Sequence, residues 1–251
     1  MSILETRDLT IRFGGHVAVN AVSCAFAPGT LTAIVGPNGA GKTTYFNLIS
    51  GQLKATAGHV LWNGDEITGL PASARARRGI GRAFQLTNLF PGLTVHENVR
   101  IAVQSRAGVG LDLWSLWNSH RGLIAETDDL LRQVNLTAQA RASAGSLSHG
   151  NQRKLEVAIM LALRPRVFMF DEPTAGMSVD EVPVILDLIG EIKAARDRTI
   201  LLVEHKMDVV RSLADRIIVL HNGALVADGE PAEVIASPVV QEAYLGVPAH
   251  A

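Results

Sequence analysis

Apolar and polar residues alternate from Met1 to Phe26, with Gly14-Gly15 in the middle, a pattern that predicts an antiparallel hairpin. The alternation then stops. Leu31 to Val35 is wholly apolar and reads as a strand buried on both faces. Lys42 to Ser50 has a helical pattern, and Gly51 stands where a helix stop is expected. Gly58 to Gly64 reads as another strand ending in an Asn63-Gly64 turn, which suggests a small antiparallel sheet beside a parallel one. Ala72 to Gly81 is helix-like and carries Arg75, Arg77 and Arg78, with Arg82 just beyond. It is read as a solvated face.

Gly81 to Gln85 reads as a strand that stops at a glutamine, and Leu86 to Val95 as a loop around Pro91-Gly92. Thr94 and Glu97 have capping-box spacing at the start of a largely helical stretch, Val95 to Leu136, broken at Gly108 to Gly110. Within it Leu113, Trp114, Leu116 and Trp117 form an apolar stripe, read as core. Ser148 is a good N-cap for a helix over Gln152 to Leu163, which Arg164-Pro165 ends. Val167 to Phe170 and Thr199 to Val203 are further buried strands. Asp215 to Leu220 and Ala224 to Asp228 flank His221-Asn222-Gly223 as a closing hairpin, and Pro231 to Gly246 looks like one polar helix and tail.

Composition narrows the class. With 251 residues the chain can bury one sizeable core, and 47% hydrophobic against 19% charged residues describes a globular protein. A net charge of −1 builds in no global attraction to nucleic acid, so none is expected as a partner. Cys24 is the single cysteine, which fits a reducing, cytosolic compartment. Met1 to Arg12 does not read as a secretory signal, and no apolar run approaches the roughly 20 residues that span a bilayer. Any membrane role must come through a partner.

The candidate chemistry sits at the ends of the buried strands. Gly36 to Thr43 fits G-x-x-x-x-G-K-[ST] between a strand and a helix, the context a phosphate loop requires. Glycines let the backbone wrap a polyphosphate, the helix N-terminus adds positive potential, Lys42 adds a full charge, and the Thr43 hydroxyl suits a magnesium ion. Asp171 and Glu172 follow a buried strand at the edge where open parallel sheets bind ligands. His205 ends the second such strand. Phe13 could stack on an adenine ring or be a half-buried strand aromatic, and the two readings weigh about evenly. Ser148 with Gly150 makes a second anion-binding helix start.

Taken in order, these motifs resemble the nucleotide-binding subunit of ATP-binding-cassette (ABC) transporters over nearly the whole chain. The resemblance implies an α/β P-loop NTPase with a mostly parallel core sheet, an antiparallel β subdomain and an inserted helical subdomain. The chain would be one domain, 1–251, with the helical part near 86–163. ATP and Mg2+ are the implied cofactors. Phe13 matches the adenine-stacking aromatic, and Gly36, Pro37, Asn38, Gly39, Ala40, Gly41, Lys42, Thr43 and Thr44 match Walker A. Gln85 matches the Q-loop, which links the metal site to the transmembrane partner. Leu147 to Asn151 matches the signature, Phe168 to Glu172 matches Walker B with its catalytic glutamate, Ala175 to Ser178 occupies the D-loop, and His205 matches the switch histidine. The implied metal site is Thr43, Gln85 and Asp171, and the implied catalytic set is Glu172, His205, Lys42 and Gln85.

Ser148 and Gly150 would serve ATP held by a second ATPase subunit, the same or paralogous. Two departures stand out: His149 and Asn151 replace Gly and Gln of the usual signature, and the D-loop lacks its common Ala-Leu-Asp ending. The shorter Asn151 is expected to weaken the reciprocal cap to Ser148. Within the family, Leu147 to Gly150, Asp171 to Met177, Val203 to Met207 and the tail Glu242 to Gly246 are most similar to the subgroup that powers import of branched-chain amino acids and related amides. That implies transmembrane permease partners, an indirect periplasmic or extracellular solute-binding protein, and a cytoplasmic place on the inner face of the membrane. A soluble iron–sulfur-assembly ATPase and a lipopolysaccharide-export ATPase share most motifs and are the alternatives.

Overall fold

The computed structural model describes residues 2–83, 89–109 and 120–245. Gln85 and the stripe Leu113, Trp114, Leu116 and Trp117 lie outside them. The chain divides into two compact units, 1–82 with 166–172 and 192–251, and 83–165 with 173–191.

The first unit holds two sheets. Strands β1 (Leu4–Phe13) and β2 (His16–Phe26) form the hairpin around Gly14-Gly15. With β4 (Ala57–Trp62) and β5 (Asp65–Glu66) they make an antiparallel sheet in the order β2-β1-β4-β5. Asn63 and Gly64, both at positive φ, turn β4 into β5. The second sheet runs β10-β9-β3-β8-β7-β6, from β3 (Leu31–Val35), β6 (Ile80–Ala83), β7 (Val167–Asp171), β8 (Thr199–Val203), β9 (Arg216–His221) and β10 (Ala224–Gly229). β9, β3, β8 and β7 are parallel, and β10 pairs antiparallel with β9.

Every residue of β3, β7 and β8 is buried, which is why these segments are continuous apolar runs rather than alternating ones. One face packs Ile34, Met169, Leu201 and Ile218 with Leu4, Leu9 and Phe26 of the antiparallel sheet, and with Tyr45, Phe46 and Ile49 of α1 (Lys42–Ser50). The other face packs Ala33, Val35, Ile217 and Val219 with Val210, Val234 and Val240. Those three come from α7 (Met207–Leu213), α8 (Pro231–Ala236) and α9 (Pro238–Leu245). The C-terminal segment is thus two short helices, not one. Ser237 is extended, as a residue before proline prefers, and breaks the run.

The arginine-rich segment departs from its expected role. Its helix, α2 (Ala72–Arg77), is short, and Arg77 and Arg78 are exposed, but Arg75 is only 2% exposed. Its guanidinium donates to the carbonyls of Leu48 and Ile49 at 2.7 Å, Thr68 at 2.7 Å and Leu70 at 3.0 Å. Two of these carbonyls end α1, where a helix has unpaired acceptors and a negative dipole end. Burial lowers the Arg75 pKa to about 10, so it stays charged at neutral pH. Arg75→Ala takes the guanidinium from four carbonyls, of which Leu48 keeps the Gly51 N–H at 3.3 Å, so the protein is expected to lose about 3 kcal/mol of stability. Thermal melting checks this; a midpoint within 2 °C or so of wild type contradicts it.

The second unit contains α3 (Val95–Ala107), α4 (Arg121–Gln133), α5 (His149–Leu163) and the start of α6 (Val182–Ala194). Thr94 and Glu97 form the capping box at α3 in both directions. Glu126 of α4 joins Arg106 of α3 at 2.6 Å and Arg164, the residue after α5, at 2.8 Å. The helix after Ser148 begins at His149, three residues earlier than the pattern predicted. Ser148 caps it, accepting from the Asn151 N–H at 3.3 Å.

Candidate functional site

β3 ends at Val35 and the chain must turn at once into α1, and only glycine fits the tightest points. Gly36 has φ 153°, and a Cβ there would lie 2.1 Å from the Leu220 carbonyl oxygen. Gly41, the residue before α1, has φ 97°, and its Cβ would lie 2.4 Å from the Ala18 oxygen. The first helical bond in α1 is Tyr45 N–H to Gly41 O, so the N–H groups of Lys42, Thr43 and Thr44 precede it. Lys42 is 5% exposed and folds back on the loop, its Nζ donating to the carbonyls of Gly36 at 2.7 Å and Pro37 at 2.9 Å. Burial pushes its ammonium pKa down, while the nearby Glu172 and Asp171 carboxylates oppose the shift.

β7 delivers the two acids. Asp171 is 3% exposed, and its Oδ2 accepts from Arg82 Nη2 at 2.7 Å. Its Oδ1 is buried with no hydrogen-bond partner among the described residues. Burial raises the Asp171 pKa, against the pull of Arg82. Glu172 follows at φ 51°, a left-handed conformation uncommon for glutamate, with its N–H bonded to the Val203 carbonyl at 2.9 Å. That turn takes its side chain off the sheet end, where Oε1 lies 2.7 Å from His205 Nε2.

These groups share one cleft of about 400 Å³, within the range of small-molecule sites. It is lined by Asn38 to Thr44, Glu172, His205, Phe13, His16 and Ala18. Phe13 ends β1 as a half-exposed strand aromatic, at 49% exposure, on the lining of the cleft. Gly36 and Pro37 face Lys42 from within the loop, and Asp171 adjoins Glu172 on β7 without lining the cleft.

Ser148 and Gly150 belong to the second unit, at the start of α5. There a Cβ on Gly150 would lie 2.0 Å from Glu181 Oε1, so a side chain would have to displace that carboxylate. Glu181 accepts from the Ser178 N–H at 3.2 Å and hydroxyl at 3.0 Å. These bonds, with Lys154 and Ser148 adding, hold its carboxyl below the usual range. Lys154 Nζ lies 3.4 Å from Asn151 Oδ1, so the substituted side chain is engaged there.

Three residues escaped the sequence reading. His16 lines the cleft because it is the strand partner of Phe13 across the Gly14-Gly15 turn, a pairing the hairpin pattern implied. Glu181 had a signal in its capping-box spacing from Ser178. Arg82 had none: the letter does not distinguish a solvated arginine from one buried on Asp171.

The ABC transporter family model matches residues 19–175, and the model for the branched-chain amino acid ATP-binding cassette transporter matches residues 224–250. The chain is 40% identical to the high-affinity branched-chain amino acid transport ATP-binding protein BraF of Pseudomonas aeruginosa, over 97% of this chain and 98% of that one. It is 38% identical to the LivG protein of the same description from Escherichia coli K12, again over 97% and 98%. Two crystal structures superpose with a TM-score of 0.83 over 98% of this chain and all of theirs. One is a nucleotide-free ATP-binding cassette of an ABC transporter at 28% identity, the other an ADP conformation of such a cassette at 29%. The mixed fold, the strand-end cleft and the full-length relatives agree, and the chain belongs to the ABC transporter family of ATP-binding cassettes.

Proposed function

We propose that this chain is the ATPase subunit that powers an importer of branched-chain amino acids or related amides. It would work as an ATP-sandwich dimer docked on membrane permease subunits. The observation that carries the solute class is the match of residues 224–250 to the branched-chain cassette model, beside 40% and 38% identity to BraF and LivG over 97% of the chain. The relatives do not favour the iron–sulfur-assembly or lipopolysaccharide-export alternatives. Among the described residues no helix is long and apolar enough to cross a membrane, so a permease would supply the anchor at the inner face.

In this reading the α1 N–H groups and Lys42 hold the phosphates, and Phe13 offers its ring face to the adenine. Glu172 orients and deprotonates the attacking water. His205, 2.7 Å away, keeps that carboxylate on the cleft side and adds a donor for charge on the transferred phosphoryl. Phosphoryl transfer to water then gives ADP and phosphate. Ser148 and Gly150 present the start of α5 to nucleotide held by a second subunit.

A magnesium ion suits the residues present, because Asp171 Oδ1 is a buried anionic oxygen without a partner among the described residues. Thr43 would ligate it directly, Asp171 through water, and Gln85 is assigned to its shell by motif. When bound, it would neutralise phosphate charge.

Co-expression with its permease pair and reconstitution in liposomes tests the assignment. Leucine-, isoleucine- or valine-loaded binding protein is expected to raise ATP hydrolysis several-fold over the unloaded one. No response to any branched-chain amino acid or amide rejects this solute class.

A further inference from the structure

We propose that Arg82 is a positioning residue for the metal site, holding Asp171 by one carboxylate oxygen so that the other stays directed to the ion's water shell. The inference rests on the ATPase reading above.

Arg82 lies in β6, and its side chain is 6% exposed against 0% for that of Asp171. Two buried charges of this kind cost several kcal/mol each to desolvate, and a lone ion pair is often no better than an apolar pair. Stability alone is therefore a weak reason for the arrangement. Its geometry says more. Nη2 takes Oδ2 of Asp171 at 2.7 Å and leaves Oδ1 unpartnered among the described residues. A bidentate fork would have closed both oxygens, and arginine makes such forks readily. Here the second donor is turned away.

Nη1 instead reaches Asn47 Oδ1 at 2.5 Å, Ser50 Oγ at 3.0 Å and Gln52 Oε1 at 2.9 Å. The guanidinium carbon also lies 5.6 Å from the Phe46 ring centroid. Phe46, Asn47 and Ser50 all belong to α1, whose first residues are Lys42 and Thr43. One planar cation therefore references the strand-end carboxylate to the helix that carries the phosphate-binding groups. Burial pushes Asp171 up and Arg82 down, and each partner opposes the other's shift. A carboxylate that acts through an intervening water must hold its acceptor to about half an ångström, which the Nη2 contact and the Nη1 contacts to Asn47, Ser50 and Gln52 serve.

Mn2+ is the probe, because its binding reads the site without turnover. Free Mn2+ is followed by electron paramagnetic resonance while the full chain is titrated with AMP-PNP present. AMP-PNP affinity in EDTA and the melting temperature are measured in parallel. Arg82→Met is expected to weaken Mn2+ binding about tenfold while metal-free AMP-PNP affinity changes less than twofold. Arg82→Lys, which keeps charge and loses the fork, should fall between. If Arg82→Met does not fold, Arg82→Lys and Asn47→Ala, which removes one anchor, carry the test. Mn2+ affinity equal to wild type, or weakened only in step with metal-free nucleotide affinity, overturns the proposal and leaves a structural ion pair. Failure of wild type to bind AMP-PNP at all would instead sink the ATPase reading.

Discussion

Glu172→Gln stops steady-state ATP hydrolysis, by a hundredfold or more on the scale of general-base removal, and leaves ATP binding within a few-fold of wild type. The substitution is chosen for what it keeps. The amide has the size of the carboxylate, needs the same φ of 51°, and can still hydrogen-bond His205 Nε2 across the 2.7 Å contact. The cleft shape therefore survives, and only the capacity to take a proton from water is lost. In the proposed sandwich, ATP that binds but is not hydrolysed would keep two subunits closed on it, so gel filtration with ATP and magnesium should show a dimer. A variant that hydrolyses normally removes Glu172 from its role. One that is inactive yet stays monomeric with ATP rejects the sandwich.

Lys42→Ala has the second large effect, for two reasons that add. At 5% exposure the ammonium acts with little water between it and a bound phosphate, where a unit charge pair at an effective dielectric of about 20 is worth about 4 kcal/mol at 4 Å. The same ammonium braces the loop through the Gly36 and Pro37 carbonyls, and alanine leaves both without that donor. Nucleotide affinity is expected to fall by up to about three orders of magnitude, with hydrolysis lost. Titration calorimetry with ADP separates binding from turnover. Unchanged affinity and rate would exclude Lys42 from the site. Arginine is no substitute here, since its planar fork cannot take up the point-charge position of an ammonium.

The parts legible in the sequence are those where local chemistry and tertiary position agree. β3, β7 and β8 are buried throughout and so are apolar throughout. Asn63-Gly64 and Asn222-Gly223 announce turns because both residues of each pair adopt positive φ. The cleft was readable for the same reason: Lys42, Glu172 and His205 each stand at the end of a recognisable element. What escaped was decided by distant partners. Arg75 is buried because Leu48 and Ile49, far back in the chain, need donors, and Arg82 because Asp171 needs a cation. The start of α5 was misplaced because His149 and Gly150 are poor helix formers, and the Ser148 cap overrides them.

The strand order also bears on how the chain reaches its native state. β3 is central, with Thr32 beside Leu201 of β8 on one side and Arg216 of β9 on the other. A nascent polypeptide leaving the ribosome offers β3 long before either neighbour exists. The first unit cannot close its sheet until β8 and β9 have been made, and closing so wide a loop must precede the contacts that reward it. Maturation should therefore be slow, and during the wait the wholly apolar Leu31 to Val35 is left without the neighbours that bury it.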